Sequence, residues 1–215
     1  MRPKLIKICG ITRSIDAQES IDSGADALGF IFHPPSPRYV SLKKFNSLQN
    51  EIKFSGCLKV AVAVSPEPSL VNQFLEAGFD KFQFHFPNDF PIDKIRVWSQ
   101  KVGVENLWLA PRLQSSEKFP AEYLKFAQTI LFDAYSGQAF GGTGNLSDWT
   151  KFTQLKNHFS DKQWYLAGGL SAENIKKVMV EVKPDGVDLN SGVESSPGVK
   201  DSVKLKKVFS ILRKL

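Results

Sequence analysis

Short apolar runs alternate with longer amphipathic stretches along the whole chain. Eight runs end near Cys9, Phe32, Val64, His85, Ala110, Asp133, Gly168 and Asn190, at intervals of 21 to 35 residues, and most lead into polar or Gly-rich segments. Between most of them lies a helix-length stretch. DAQESIDSGA, SLVNQFLEAG, SAENIKKVMVEV and KDSVKLKKVFSILRKL carry apolar residues three and four apart, the stripe by which a helix packs on one face. Eight such strand-helix units in 215 residues predict an α/β fold, a single (β/α)8 TIM barrel spanning residues 1–215.

Period two inside the runs assigns faces. In LIKIC, Leu5, Lys7 and Cys9 share one side while Ile6 and Ile8 share the other; in KFQFH, Lys81, Gln83 and His85 separate from Phe82 and Phe84. The purely apolar side is expected to meet helices and the mixed side to point into the barrel, toward the C-terminal end where such folds hold their chemistry. In GVDLNS the inward side carries Gly186, Asp188 and Asn190. Closure makes the last strand a neighbour of the first. Lys7 and Asp188 are therefore expected to pair, because an unpaired charge inside a barrel is very costly. The basic final segment, with Leu205, Val208, Phe209 and Leu212 on one stripe, reads as the outer helix that closes the ring rather than a helix lying on a membrane.

Composition adds mostly exclusions. Hydrophobic residues make up 42% and charged residues 23%, ordinary for a soluble globular protein. No apolar stretch approaches the roughly 20 residues of a bilayer span, and MRPKLIKICGIT lacks the apolar segment of a secretory signal. A cytoplasmic protein with no membrane partner is expected. The two cysteines, Cys9 and Cys57, lie in or beside strand-like runs and suggest reduced thiols, and the three histidines show no metal-ligand spacing, so no metal is expected. A net charge of +6 arises from scattered lysines without an RNA-binding aromatic signature or helix-turn-helix, which favours a small anionic substrate over nucleic acid.

The chemistry-bearing residues cluster at the ends of the runs. Cys9 precedes Gly10 at the barrel mouth; it is either a catalytic thiol or a buried inert one. Asp133 ends LFD before the polar AYSGQAFGGTG loop, where partial desolvation suits a general acid and loop capping is the structural alternative. The turns AGGLSAEN and NSGVESSPGVK follow strands seven and eight, where barrels of this kind bind phosphate through loop amides; either alone is otherwise a tight βα turn. Arg38, in the proline-stiffened HPPSPRYV, offers a planar fork for a carboxylate or second phosphate, or else tethers its loop. His85 either orients a substrate or satisfies Gln83, and Asp188 is expected to reach substrate from the same inner wall. No GxGxxG follows the first strand and no P-loop occurs, so neither a dinucleotide nor a nucleoside triphosphate is expected.

Taken together, KICGIT, GFIFHPPSPRYV, FQFH, LFDAYSGQAFGGTGNLSDW, LAGGLSAENI and GVDLNSGVESSPGVKD resemble the phosphoribosylanthranilate isomerases of tryptophan biosynthesis over nearly the whole chain. The resemblance implies a cofactor-free Amadori rearrangement of N-(5-phosphoribosyl)anthranilate, with Cys9 as general base, Asp133 as general acid, Arg38 on the anthranilate carboxylate, and backbone around Gly168, Gly169, Ser191 and Gly192 on the phosphate. It leaves monomer and homodimer both open. The chain departs from the family pattern in having Phe86 after His85 where glycine is usual, Pro111 and Arg112 in strand five, and Asn190 where serine is common. Another sugar-phosphate isomerase or aldolase, or a non-catalytic barrel binding a phosphorylated metabolite, are the alternative readings.

Overall fold

In the computed structural model, which describes residues 3–113, 117–133 and 148–215, eight parallel strands close on themselves in sequence order. They are β1 (Leu5–Cys9), β2 (Ala27–Ile31), β3 (Leu58–Val64), β4 (Lys81–Pro87), β5 (Leu107–Arg112), β6 (Thr129–Phe132), β7 (Gln163–Leu166) and β8 (Gly186–Leu189). The helices α1 (Ser14–Ser23), α2 (Leu42–Glu51), α3 (Pro68–Glu76), α4 (Ile92–Val102), α5 (Trp149–His158), α6 (Ile175–Lys177) and α7 (Ser202–Leu212) lie between and after them. This is the expected (β/α)8 barrel. Among the described residues no helix is long and apolar enough to cross a membrane.

The alternation within strands sorts the core into two layers. Ile6, Ile8, Phe82 and Phe84 belong to the outer layer, packed with helix residues such as Ala17, Val71, Trp98 and Val208. Leu5 and Cys9 belong to the inner one, with Ala27, Val60, Val62, Trp108, Leu131 and Tyr165. Burial on both faces is what lets parallel strands tolerate near-continuous apolar runs. Closure aligns Lys7 of β1 with Asp188 of β8, and Lys7 Nζ donates to Asp188 Oδ2 over 2.8 Å with the lysine fully buried. The expected pair therefore forms.

Several boundaries differ from the sequence reading. β4 runs on through Phe86 to Pro87 because the Phe86 ring is wholly buried against Phe90, Trp98 and Tyr123 of the outer layer. β5 contains Pro111 and Arg112, as the sequence places them, paired with Phe86 and Pro87 of β4. Where a helix between β5 and β6 would complete the repeat, a 3-10 helix covers Ala121–Phe126. The SAENIKKVMVEV stretch is not one regular helix: α6 passes into a π-helical turn, Val178–Val182, that ends on Lys183 with φ of 51°. Val178 and Val182 are buried there while Val180 is left exposed, which the wider turn permits in a segment whose valines alternate. After β8 the chain makes a 3-10 turn, Ser191–Val193, then a small antiparallel ribbon, β9 (Glu194–Ser196) and β10 (Val199–Lys200), before Asp201 caps α7 through the amides of Val203 and Lys204.

Candidate active site

The mouth formed by the C-terminal strand ends frames a pocket open to solvent. Cys9, Arg38, His85 and Asp133 line it, as do Gly168, Gly169, Asp188, Asn190 and Ser191. Thus nine of the ten residues singled out from sequence meet around one space. Gly192 stands just behind them: a Cβ there would lie 2.0 Å from the Leu170 carbonyl oxygen, so only glycine lets the turn after β8 press against the turn after β7. The AYSGQAFGGTG loop that follows Asp133 lies outside the described residues.

At the floor, Cys9 crosses over Gly29 of β2. A Cβ at Gly29 would stand 2.8 Å from both Cys9 Sγ and Lys7 Nζ, so the thiol and the ammonium lie within twice that distance of each other. Burial pushes the Cys9 thiol above its ordinary range, and the Lys7 charge pulls against that shift. Burial also opposes the Lys7 charge, but Asp188 and Cys9 together outweigh it and hold the ammonium above its usual range. On the opposite wall Gln83 Nε2 and His85 Nε2 are 2.9 Å apart. Burial, reinforced by the charge of Lys7, drives His85 down to about 3, which keeps its imidazole neutral.

Arg38 is held more firmly than proline stiffening alone implies. Its Nε donates to Glu194 at 3.0 and 3.1 Å and its Nη2 at 2.7 Å, with both side chains buried. Lys200 Nζ joins them, 2.8 Å from Glu194 Oε1 and 3.0 Å from Asn190 Oδ1. Burial alone would raise the Glu194 carboxyl, but the Arg38 hydrogen bonds and the Lys200 charge hold it below its usual range. One edge of the Arg38 fork is thus fixed by protein, and Nη1 has no partner among the described residues. A planar donor anchored along one edge presents the other in a defined direction.

The turn after β7 is shaped for an anion. Gly168 and Gly169 have φ of 90° and 64°, values that glycine adopts without strain. Asn174 pins this turn from both sides, accepting from the Ser171 amide at 2.9 Å and donating to the Gly169 carbonyl at 2.8 Å. Among the described residues the amides of Gly168 and Gly169 have no acceptor. Successive free amides in such a turn form an anion-binding concavity.

Two neighbours of the pocket escaped the sequence reading. Glu194 and Lys200 sit in a segment read only as a Gly-rich turn, and their partner Arg38 is 156 residues from Glu194 in the chain. Gln83 showed a weak signal: a polar residue inside an otherwise aromatic strand, on the inward face, 1% exposed in the fold.

A family model described as N-(5'phosphoribosyl)anthranilate (PRA) isomerase matches residues 6–211. The N-(5'-phosphoribosyl)anthranilate isomerase of Aquifex aeolicus (strain VF5) is 35% identical over 201 residues, covering 94% of each chain. Among solved structures, the phosphoribosyl anthranilate isomerase of Thermus thermophilus has a TM-score of 0.83 at 28% identity, covering 100% of this chain and 99% of that one. A phosphoribosyl anthranilate isomerase in complex with reduced 1-(o-carboxyphenylamino)-1-deoxyribulose 5-phosphate has a TM-score of 0.79 at 30% identity, covering 98% and 99%.

Proposed function

The chain belongs to the N-(5'-phosphoribosyl)anthranilate isomerase family, and from that premise we propose that it is a cytoplasmic enzyme of tryptophan biosynthesis. It converts N-(5-phosphoribosyl)anthranilate to 1-(2-carboxyphenylamino)-1-deoxyribulose 5-phosphate by general acid-base catalysis and without a cofactor. The single observation that carries this reading is that Cys9 and Asp133 line one cavity whose rim holds the paired glycine turns.

The roles follow from where charge develops. Asp133 gives a proton to the furanose ring oxygen as the C1–O bond breaks, leaving a protonated Schiff base between C1 and the aryl nitrogen. That cation acidifies the hydrogen on C2. Cys9, as thiolate, removes it; the resulting enolamine tautomerises to the C2 ketone, so the substrate's atoms are rearranged and none is lost. Each positioned proton transfer contributes about 10²- to 10⁴-fold. Lys7 is the nearby cation that favours the thiolate despite burial. Arg38 directs its free edge at the anthranilate carboxylate, while Gly168, Gly169, Asn190, Ser191 and Gly192 hold the phosphate and His85 and Asp188 complete the wall between. The reduced phosphorylated product analogue named in the solved relative has the two anionic ends these groups would receive.

A fluorescence assay of the purified chain tests the proposal directly. Loss of the phosphoribosylanthranilate signal, at a rate abolished by removing either Cys9 or Asp133, is expected; a folded protein that leaves the substrate unchanged would overturn it.

A further inference from the structure

Gly29 occupies an inward position of β2, between Ala27 and Ile31, and is paired in register with Cys9 of β1. Its carbonyl accepts from the Gly10 and Ile11 amides at 2.9 and 3.0 Å, so the end of β1 that carries the thiol is fastened to it. A glycine inside a strand weakens the strand, and the backbone here lies outside the left-handed region that would call for one. Space is the remaining reason. A Cβ at this position would meet Cys9 Sγ, Lys7 Cε and Lys7 Nζ, each at 2.8 Å, closer than a Cβ can stand to any of them. The two side chains thus share the volume that a methyl group would take. Lys7 Nζ, wholly buried, donates to Asp188 Oδ2 at 2.8 Å and is also within hydrogen-bonding reach of the Cys9 sulfur; an ammonium has three protons to give.

We propose that Gly29 is a positioning residue: its missing side chain leaves the gap across which Lys7 reaches Cys9 and steadies negative charge on the sulfur. Lys7 then has two partners, Asp188 and Cys9, and the space at Gly29 decides whether it can touch both. The other charges acting on the sulfur are the Asp188 carboxylate of β8, which opposes the thiolate, and the Lys200 ammonium of β10, which favours it. His33, Arg38, His85 and Asp133 line the same pocket. The atoms that a Cβ would crowd all belong to the ends of side chains, so an alanine is accommodated by driving the ammonium from the sulfur while the strand keeps its register. The bearing of this contact on turnover rests on the proposed reading of Cys9 as the base; the contact itself does not.

The thiol can be read directly in the full-length protein. In a Cys57→Ala background, cysteine labelled with 13C at Cβ gives one resonance whose shift with pH follows the ionisation of Cys9. Gly29→Ala is expected to raise the midpoint of that titration by about one pH unit, the order by which a cation at close range favours an ionised partner. The alkaline rise of kcat/KM moves up with it, so kcat/KM at neutral pH falls roughly tenfold. Made on top of Lys7→Met with Asp188→Leu, the same substitution is expected to leave the midpoint where that background sets it. An unmoved midpoint in Gly29→Ala, or an equal rise with Lys7 absent, which added burial alone would produce, overturns the proposal. If Gly29→Ala fails to fold, the Lys7→Met, Asp188→Leu protein decides, and a midpoint there no higher than the parent's overturns the proposal as well. The expected midpoints in a protein without isomerase activity would overturn the function and leave the Lys7–Cys9 contact standing.

Discussion

The two cysteines mark opposite ends of the barrel, and only one of them has cations beside it. Cys9 ends β1 at the mouth, where burial and the Asp188 carboxylate raise the thiol while the Lys7 and Lys200 ammoniums pull it down. Cys57 precedes β3 at the other end. There burial, with the carboxylates of Asp26 and Asp80, pushes the thiol up to about 12. Those carboxylates have structural work: Asp26 accepts from the Ile6 amide at 2.8 Å and Asp80 from the Lys59 amide at 2.7 Å, each tying a strand start to its neighbour. Burial alone is common to both thiols. What separates a candidate base from an inert side chain is that cations stand beside Cys9 and counter its burial, whereas the charges acting on Cys57 are carboxylates.

The sharpest test of this contrast is activity. Cys9→Ala and Asp133→Asn are each expected to lower kcat by about 10²- to 10⁴-fold with the fold intact, whereas Cys57→Ala keeps a near-parental rate; steady-state kinetics and circular dichroism on the same preparations separate the cases. Next in size is the cation that defines the mouth. Lys7→Met strands Asp188 as an unpaired buried charge and is expected to cost about 3–5 kcal/mol in urea unfolding, much of which returns in the double variant Lys7→Met with Asp188→Leu.

The pH response follows from the direction of each shift. Because the Cys9 thiol lies above its ordinary range, the thiolate proposed as the base is the minor form at neutrality, and kcat/KM is expected to rise with pH into the alkaline region; Cys9→Asp should remove that rise. Glu194 behaves oppositely. Its carboxyl is held low in the folded protein, so the Arg38–Glu194–Lys200 cluster contributes stability above the ordinary carboxylate range and loses it as pH falls through the lowered value. Glu194→Gln should flatten that acid limb in denaturant titrations. The smallest effect is expected at the base of the barrel, where Cys57→Ala costs about 1 kcal/mol in the same unfolding assay.

Much of the mouth was legible because period two is a strong, local constraint. The strand LIKIC fixed Lys7 and Cys9 on the inner face before any partner was known, and strand eight did the same for Asp188; order and closure then brought them together. The glycine pairs were readable for a similar reason, since left-handed φ at Gly168 and Gly169 leaves few other residues possible. Glu194 was not legible. A carboxylate in a polar turn looks solvated until the ribbon after β8 folds it under Arg38. The π-helical turn after α6 was hidden too, because the apolar spacing of that segment suits a regular helix as well.

The sequence by itself determined which side chains point inward, the barrel order and the residue types at its mouth, since backbone chirality and pleat act over a few residues. Tertiary structure alone decided the Arg38–Glu194–Lys200 cluster, the reach of Gln83 toward Asp188 and the length of β4. Those features depend on contacts between segments distant in the chain, and such contacts acquire an energy only once closure has brought the segments into one desolvated space.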